Sequence, residues 1–417
     1  MTAFARLAVL SLALAALVAS APRVPPTRLA VGRIDVASWP YLPGSTLPLR
    51  VSGFAGSYHA ALLGPGELRP GGIYVAPPAT AATSALLIAG NAVGLGAAHL
   101  RIAPPPSPDR SLIFAASYDD GLVVHDSGDF SVIGLVATGG APSDTAADPS
   151  GRVAVTDTQG TALTVVTLSP WSVAHVEGVP LGDEIAVDSV THAIFVTNRD
   201  ADGKGALTRV LPDGTVARVT TGATAEGIAI DERRQIVYVA NANDGTIAAL
   251  DARAMRVMRR FRAVDRVFSL ALSSDGSTLY AISNQSAGSL FAAPGSAVAI
   301  ALNGSKARVK ATSAPLNFPL GIALDPHGAT LFVTEEARSE IDVLDAGTLR
   351  AKRPALKTCK TPWKPTLDEA SGRLFVPCAS DNSIDVFDAK TLRRVPHAPF
   401  ATGSYPLAVE IWHPAKA

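Results

Sequence analysis

The sequence predicts an all-β chain: a seven-bladed β-propeller preceded by a small N-terminal β-sandwich domain. Three observations predict it. A strand-forming motif returns seven times along the chain. Glycine and proline are plentiful, at 35 and 31 residues, as many short strands joined by turns require. Apolar residues reach 47% and charged ones only 17%, a balance that fills a core and rules out disorder over most of the length.

Residues 1–21 read as an export signal. Arg6 supplies a positive charge, Leu7 to Ala19 is apolar except for Ser11, and Ala19-Ser20-Ala21 offers small residues for cleavage. That run is shorter than the roughly 20 residues a bilayer span needs, and no later run is longer. The mature chain is therefore expected to be secreted, periplasmic or at the cell surface, with no transmembrane segment.

Residues 27–103 lack the repeat. Alternating or apolar runs at Leu29 to Val36, Leu47 to Val51, His59 to Leu63, Ser84 to Ile88 and His99 to Ile102 suit a small β-sandwich. Within it, Gly64-Pro-Gly-Glu-Leu-Arg-Pro-Gly-Gly-Ile-Tyr-Val-Ala-Pro77 resembles a stretch of bacterial immunoglobulin-like surface modules, which implies an immunoglobulin-like fold here. Residues 104–108 hold four prolines with Ser107 and make a stiff linker.

The repeats occupy residues 109–412. Leu112-Ile-Phe-Ala-Ala-Ser117, Val153-Ala-Val-Thr-Asp157, Ile194-Phe-Val-Thr-Asn198 and Val237-Tyr-Val-Ala-Asn241 are followed by Leu279-Tyr-Ala-Ile-Ser283, Leu331-Phe-Val-Thr-Glu335 and Leu374-Phe-Val-Pro-Cys378. Their spacing centres on the roughly 40 to 45 residues of a four-stranded blade. An inner strand precedes the motif, as in Ile185-Ala-Val-Asp188, Ile228-Ala-Ile-Asp231 and Ile322-Ala-Leu-Asp325. A third strand follows, as in Thr246 to Asp251, Ile341 to Asp345 and Ile384 to Asp388. The outermost strand is basic, with Arg256, Arg259, Arg260 and Arg262 in one repeat, Arg350, Lys352 and Arg353 in another, and Arg393 and Arg394 in the last. Charges there guard an unpaired edge. Tyr405 to Glu410 reads as an inner strand without a successor, so it completes the first blade and closes the ring.

Phe195-Val-Thr-Asn198, Tyr238-Val-Ala-Asn241 and Phe332-Val-Thr-Glu335, each behind an I-A-x-D strand, resemble the YVTN-type β-propeller repeats of the lactonase-like superfamily. The resemblance implies a propeller fold. It leaves function open among surface-layer proteins, lactonase-like hydrolases and exported binders.

Cys359 lies just before an inner strand, and Cys378 closes the antiparallel strand beside it. Neighbouring strands lie about 4.8 Å apart and a disulfide spans Cα atoms roughly 4.4–6.8 Å apart, so the two are predicted to pair. Export permits it.

The chemistry-bearing motifs are few. No G-x-S-x-G elbow, H-E-x-x-H or phosphate-binding Gly-Lys-Ser/Thr loop occurs. Thirty-six basic residues balance 36 acidic ones, which gives no electrostatic footprint for nucleic acid. Residues closing the second strand of each blade gather at one rim, and Ser117, Asp157, Asn198, Asn241, Ser283 and Glu335 are the ligand-binding candidates. Asn198, Asp200 and Asp202, oxygen ligands at alternate positions before Gly203, are the candidates for a divalent cation; no other cofactor is expected. A gluconolactonase-like propeller would place Glu335, Asn241 and Asp157 around a metal, but its Asn before the glycine entering the inner strand is Leu320 here. The longest loop, from Ser283 to Ala297, carries Leu290-Phe291 as an apolar tip over the same rim. The expected function is a non-catalytic ligand-binding or scaffold propeller, its partner a small molecule, peptide or surface component. The alternative is a metal-dependent lactone or ester hydrolase.

Overall fold

The computed structural model describes residues 30–91, 93–138, 140–199, 202–284, 294–304 and 306–415. The export signal, Asp200 and the tip at Leu290-Phe291 lie outside the described residues. The chain is all-β, with one short 3-10 turn at Ala379–Asp381 among the described residues. No described helix is long and apolar enough to cross a membrane. Two compact units form: one from residues 30–106 with 133–138, the other from 107–132 with 140–415.

The first unit holds two sheets. Val51–Ser52, Ala30–Ile34, Gly94–Ile102, Thr83–Gly90 and His59–Leu63 lie side by side in that order. Thr46–Pro48, Ile73–Val75 and Glu67–Arg69 make the second sheet. Alternate residues of Gly94–Ile102 are buried, which sends Ala98, Leu100 and Ile102 inward. Tyr74 is fully buried and its hydroxyl donates to the Pro65 carbonyl at 3.1 Å. Gly66 lies against that ring at φ +113°, and a Cβ there would stand 2.5 Å from it. The glycine of the G-x-G stretch therefore makes room for the tyrosine that follows it. Residues 133–138 belong to this unit through Leu135, whose carbonyl accepts from the Leu42 N–H at 2.7 Å and from the Ser45 hydroxyl at 3.1 Å.

The second unit is a succession of antiparallel sheets, seven among the described residues. Their inner strands are Pro406–Trp412, Pro142–Asp148, Gly182–Val187, Ala225–Asp231, Val267–Leu272, Pro319–Leu324 and Thr366–Asp368. Each touches the next and the last touches the first, so the inner strands form a closed cycle. Small residues such as Ala146, Ala186, Ala229 and Ala323 permit that crowding. Several inner strands lead into an aspartate that receives the N–H groups of the following turn: Asp188 from Val190 at 3.0 Å, Asp231 from Arg234 at 2.9 Å and Asp368 from Ala370 at 3.2 Å.

The threonine of the repeated motif fastens neighbouring sheets. Thr156, Thr197 and Thr334 each accept a hydrogen bond from their own inner strand, at Asp144, Glu184 and Gly321, all at 3.0 Å. Each also donates to the next inner segment: to the carbonyls of Asp183 at 2.8 Å, Glu226 at 2.7 Å and Trp363 at 2.8 Å.

The C-terminal strand Pro406–Trp412 pairs antiparallel with Leu112–Ser117. His413 then bridges Ser111 Oγ and Asp368 Oδ1, each at 2.9 Å. Cys359 and Cys378 form a disulfide with Cα atoms 5.6 Å apart. The outer edge departs from expectation in the last two sheets. There the fourth strands shrink to Leu356–Lys357 and Phe400–Ala401, so that Arg350, Lys352, Arg353, Arg393 and Arg394 precede them instead of lying in them. Pro354, Pro396 and Pro399 supply no N–H to a ladder. Arg394 is no edge guard: it donates twice to the fully buried Asp385, at 2.7 and 2.8 Å.

Candidate functional site

At the end of the ring where inner strands begin, the ladder is irregular. A register shift interrupts the pairing in the inner strands that start at Pro142, Gly182, Ala225, Val267, Pro319 and Pro406. Bulges re-aim side chains, and here both members of the pairs Ser143-Asp144 and Asp183-Glu184, which sit in such shifts, line one cavity of about 480 Å³ together with Trp363 and Lys364. Its walls differ. Three consecutive sheets contribute the carboxylates Asp144, Asp183, Glu184 and Glu226 along with Ser143 and Leu181, while the other four contribute Phe268, Leu320, Trp363 and Leu407 along with Tyr118 and Lys364.

Two cations join the carboxylates. Lys364 Nζ lies 2.5 Å from Asp144 and 3.6 Å from Glu184. Arg199 lies 2.8 Å from Asp183 and 3.5 Å from Glu226. The acids also stitch strands: Asp144 accepts the Ile185 N–H at 3.0 Å and Glu184 the Ile228 N–H at 3.1 Å. Burial shifts the titrations upward. It carries Glu184 to about 7 against the pull of Lys364, with Asp144 and Asp183 adding to the rise. It carries Glu226 to about 10, with Asp183 beside it adding more. Asp144 is raised because burial outweighs Lys364. For Lys364, burial alone would lower the pKa, but Asp144 and Glu184 together raise it. Farther along the C-terminal inner strand, Glu410 is pushed to about 8 by burial and by Asp144.

The six sequence-predicted rim residues lie at this end of the ring but not on the cavity. Asp157 Oδ1 accepts the N–H groups of Ala141, Gln159 and Gly160 at 3.0, 2.8 and 2.9 Å. Asn198 donates to the Pro180 carbonyl at 2.8 Å and accepts from Thr208 at 2.6 Å. Asn241 donates to Thr246 at 3.2 Å, and Ser283 donates to the Asp265 carbonyl. Ser117 is fully buried. Glu335 accepts the Asn317 N–H at 3.0 Å and sits in the wall of a second cavity, of about 350 Å³, with Arg338 and Asp342. There burial, aided by a hydrogen bond to Glu335, pushes Asp342 to about 7. Of the cation candidates, Asn198 is engaged as above and Asp202 is exposed, 3.9 Å from Lys204. Among the described residues no three His, Cys, Asp or Glu side chains are grouped as a metal site.

The cavity residues carry a signal that the motif at the end of the second strand hides. Aligned on their inner strands, three successive repeats carry acids near the start of that strand, at Asp144, at Asp183-Glu184 and at Glu226, and Trp363-Lys364 takes that place in the seventh.

No family model and no curated protein matches the chain. Solved structures do. A functionally unknown protein from Desulfotomaculum acetoxidans aligns at 16% identity and a TM-score of 0.60, over 73% of this chain and 99% of its own. A putative 6-phosphogluconolactonase from Bacteroides fragilis aligns at 13% and 0.58, over 74% and 99%. The periplasmic gluconolactonase of Pseudomonas aeruginosa aligns at 14% and 0.57, over 72% and 98%. The likeness shows the fold, a β-propeller.

Proposed function

We propose that this chain is an exported, non-catalytic binding protein. In this reading it is a seven-bladed propeller behind an immunoglobulin-like sandwich, and it takes a small molecule into the cavity at the channel mouth. The observation that carries the reading is the lining: apolar surface from Phe268, Leu320, Trp363 and Leu407 stands beside charges that are tied to each other and to backbone. A concave, largely apolar site with a few convergent polar groups is the ordinary form of a small-molecule pocket. Asp144 and Glu184 hold the N–H groups of the next inner strands, a structural task that accounts for buried acids without any reaction. The disulfide supports export.

A second reading is favoured by one observation. Glu184, held near 7, has the titration a general base requires, and two of the structural relatives are named as lactonases, one of them putative. The test is metal analysis and lactone turnover on protein purified without chelators, beside a thermal-shift screen of small molecules. The binding reading expects stabilising ligands whose effect is lost in Trp363→Ala, with no turnover. Turnover abolished by Glu184→Gln, with a stoichiometric metal, would replace it with the hydrolase.

A further inference from the structure

We infer that the outer face of four consecutive sheets is a docking surface for a linear acidic polysaccharide, a polyuronate. Three outer strands, Val216–Ala223, Arg256–Arg262 and Lys306–Thr312, hold one, four and three basic residues. Residues 350–357, which lead into and include the short fourth strand of the next sheet, hold four more. None of the four segments contains Asp or Glu, although 36 basic residues balance 36 acidic ones over the chain. None of these cations lines the cavity of about 480 Å³, and all except Arg259 are exposed. Among the described residues only Arg262 and Lys357 of this set have a carboxylate partner, in Asp265 and Glu340. Exposed cations elsewhere, such as Arg33, Arg69, Arg110 and Lys360, each face a carboxylate. Edge protection works with charge of either sign. It does not account for a single sign on four neighbouring sheets, when the outer strand of the sheet before them, Trp171–Glu177, carries Glu177 and no Lys or Arg.

The register repeats the cations from sheet to sheet. Ala206, Thr246 and Ser296 pair with the residues that close the second strands and so mark one level in three sheets. Counted from that level, Arg218 opposite Thr208 and Arg260 opposite Ala248 share one position. Arg256 opposite Asp251 and Arg308 opposite Ala301 share another. Arg260 Nε donates to the Thr221 carbonyl of the preceding outer strand at 2.6 Å, which fixes that guanidinium across two sheets. Apolar surface is interleaved with the charge: Met258 is 42% exposed and Val309 36%. Met258 and Lys310 are the residues that a register shift leaves unpaired in their strands, and bulges of this kind turn side chains outward.

The chemistry of the partner follows. Arginine outnumbers lysine on these segments, and its fork matches a planar carboxylate with two parallel hydrogen bonds. Sugar rings present C–H faces that Met258 and Val309 can cover. Because the inner strands form a closed cycle, the outer strands lie on successive radii and face different directions. A flat bilayer reaches few of them, and a flexible chain can follow them all. Phe261 is no platform for nucleobases, since the Arg259 guanidinium lies over its ring at 5.3 Å. The Cys359–Cys378 disulfide fits an oxidising compartment, where acidic polysaccharide is a more abundant polyanion than nucleic acid.

Biolayer interferometry of the intact chain against oligogalacturonate, neutral dextran, phosphatidylglycerol vesicles and a single-stranded oligonucleotide tests this. The chain is expected to bind oligogalacturonate and not dextran, with affinity falling at least about tenfold between about 50 and 200 mM salt as released counterions are opposed. Arg256→Glu with Arg308→Glu should weaken binding at least about tenfold. Arg69→Glu with Lys390→Glu makes the same change in net charge at exposed sites elsewhere and should leave affinity within about twofold. Should the first pair perturb folding, Arg256→Gln with Arg308→Gln reads the same contact and should weaken binding about three- to tenfold. Equal losses in the two Glu pairs reduce binding to net charge and overturn the site. Tighter binding of the vesicles or the oligonucleotide than of oligogalacturonate overturns the partner class. Absence of binding at about 50 mM salt, where screening is weak, overturns the inference and leaves edge protection as the cations' task.

Discussion

Glu226 is a carboxyl held in its neutral form by its surroundings, and that has a measurable cost. Burial and Asp183 raise it from 4.5 to about 10, and Glu184 from 4.5 to about 7. An acid whose folded pKa lies above its unfolded value binds protons more tightly when folded. Its contribution is present at low pH and is lost as pH rises from about 4.5 towards the folded value. Stability should therefore fall between pH 5 and pH 7, and Glu226→Gln should flatten the decline, as denaturant titrations across that range would show. A variant as steep as the parent would count against the raised carboxyl. The acids themselves are legible in sequence once repeats are aligned on their inner strands. Lys364 falls in the same column, but its pairing is not legible: its partner Asp144 is 220 residues away, and only the closed ring makes them neighbours.

At the scale of the strand, the repeated threonine is a fastener between sheets. Thr197 is fully buried, accepts the Glu184 N–H and donates to the Glu226 carbonyl. Thr197→Val keeps the volume and orphans both backbone groups, so a loss of about 1–3 kcal/mol is expected in equilibrium unfolding. A loss below about 0.5 kcal/mol would mean water replaces the hydroxyl. Strand content was readable because alternation and the I-A-x-D and F-V-T strings mark inner and second strands. The rim candidates carry a second kind of work that spacing does not reveal: Asp157 and Asn198 close turns and tie strands. Outer strands were least readable, since Pro354, Pro396 and Pro399 interrupt their ladders and Arg394 turns inward to Asp385.

For the molecule as a whole, closure depends on a strand from the far end of the chain. Leu407, Ala408, Val409 and Ile411 are buried there, and Thr366 donates to the Val409 carbonyl at 2.7 Å. Deleting residues 404–417 removes this strand and the His413 bridge together. Burial of each large aliphatic side chain is worth roughly 1.5–3 kcal/mol, so the truncation should lower Tm by more than 10 °C or abolish the cooperative transition. An unchanged scanning-calorimetry trace would refute closure. This feature was legible because Tyr405 to Glu410 is an inner strand with no second strand after it.

The excursion of residues 133–138 into the first unit bears on ancestry. Modular proteins are commonly shuffled at proline-rich joints, and residues 104–108 look like such a joint. Yet a recombination break there would separate Leu42 and Ser45 from Leu135, leaving the donated module without the segment that completes it. Cutting the chain at residues 104–108 therefore leaves the first unit without residues 133–138. A relative holding either one alone should show a rebuilt segment where Leu135 stands.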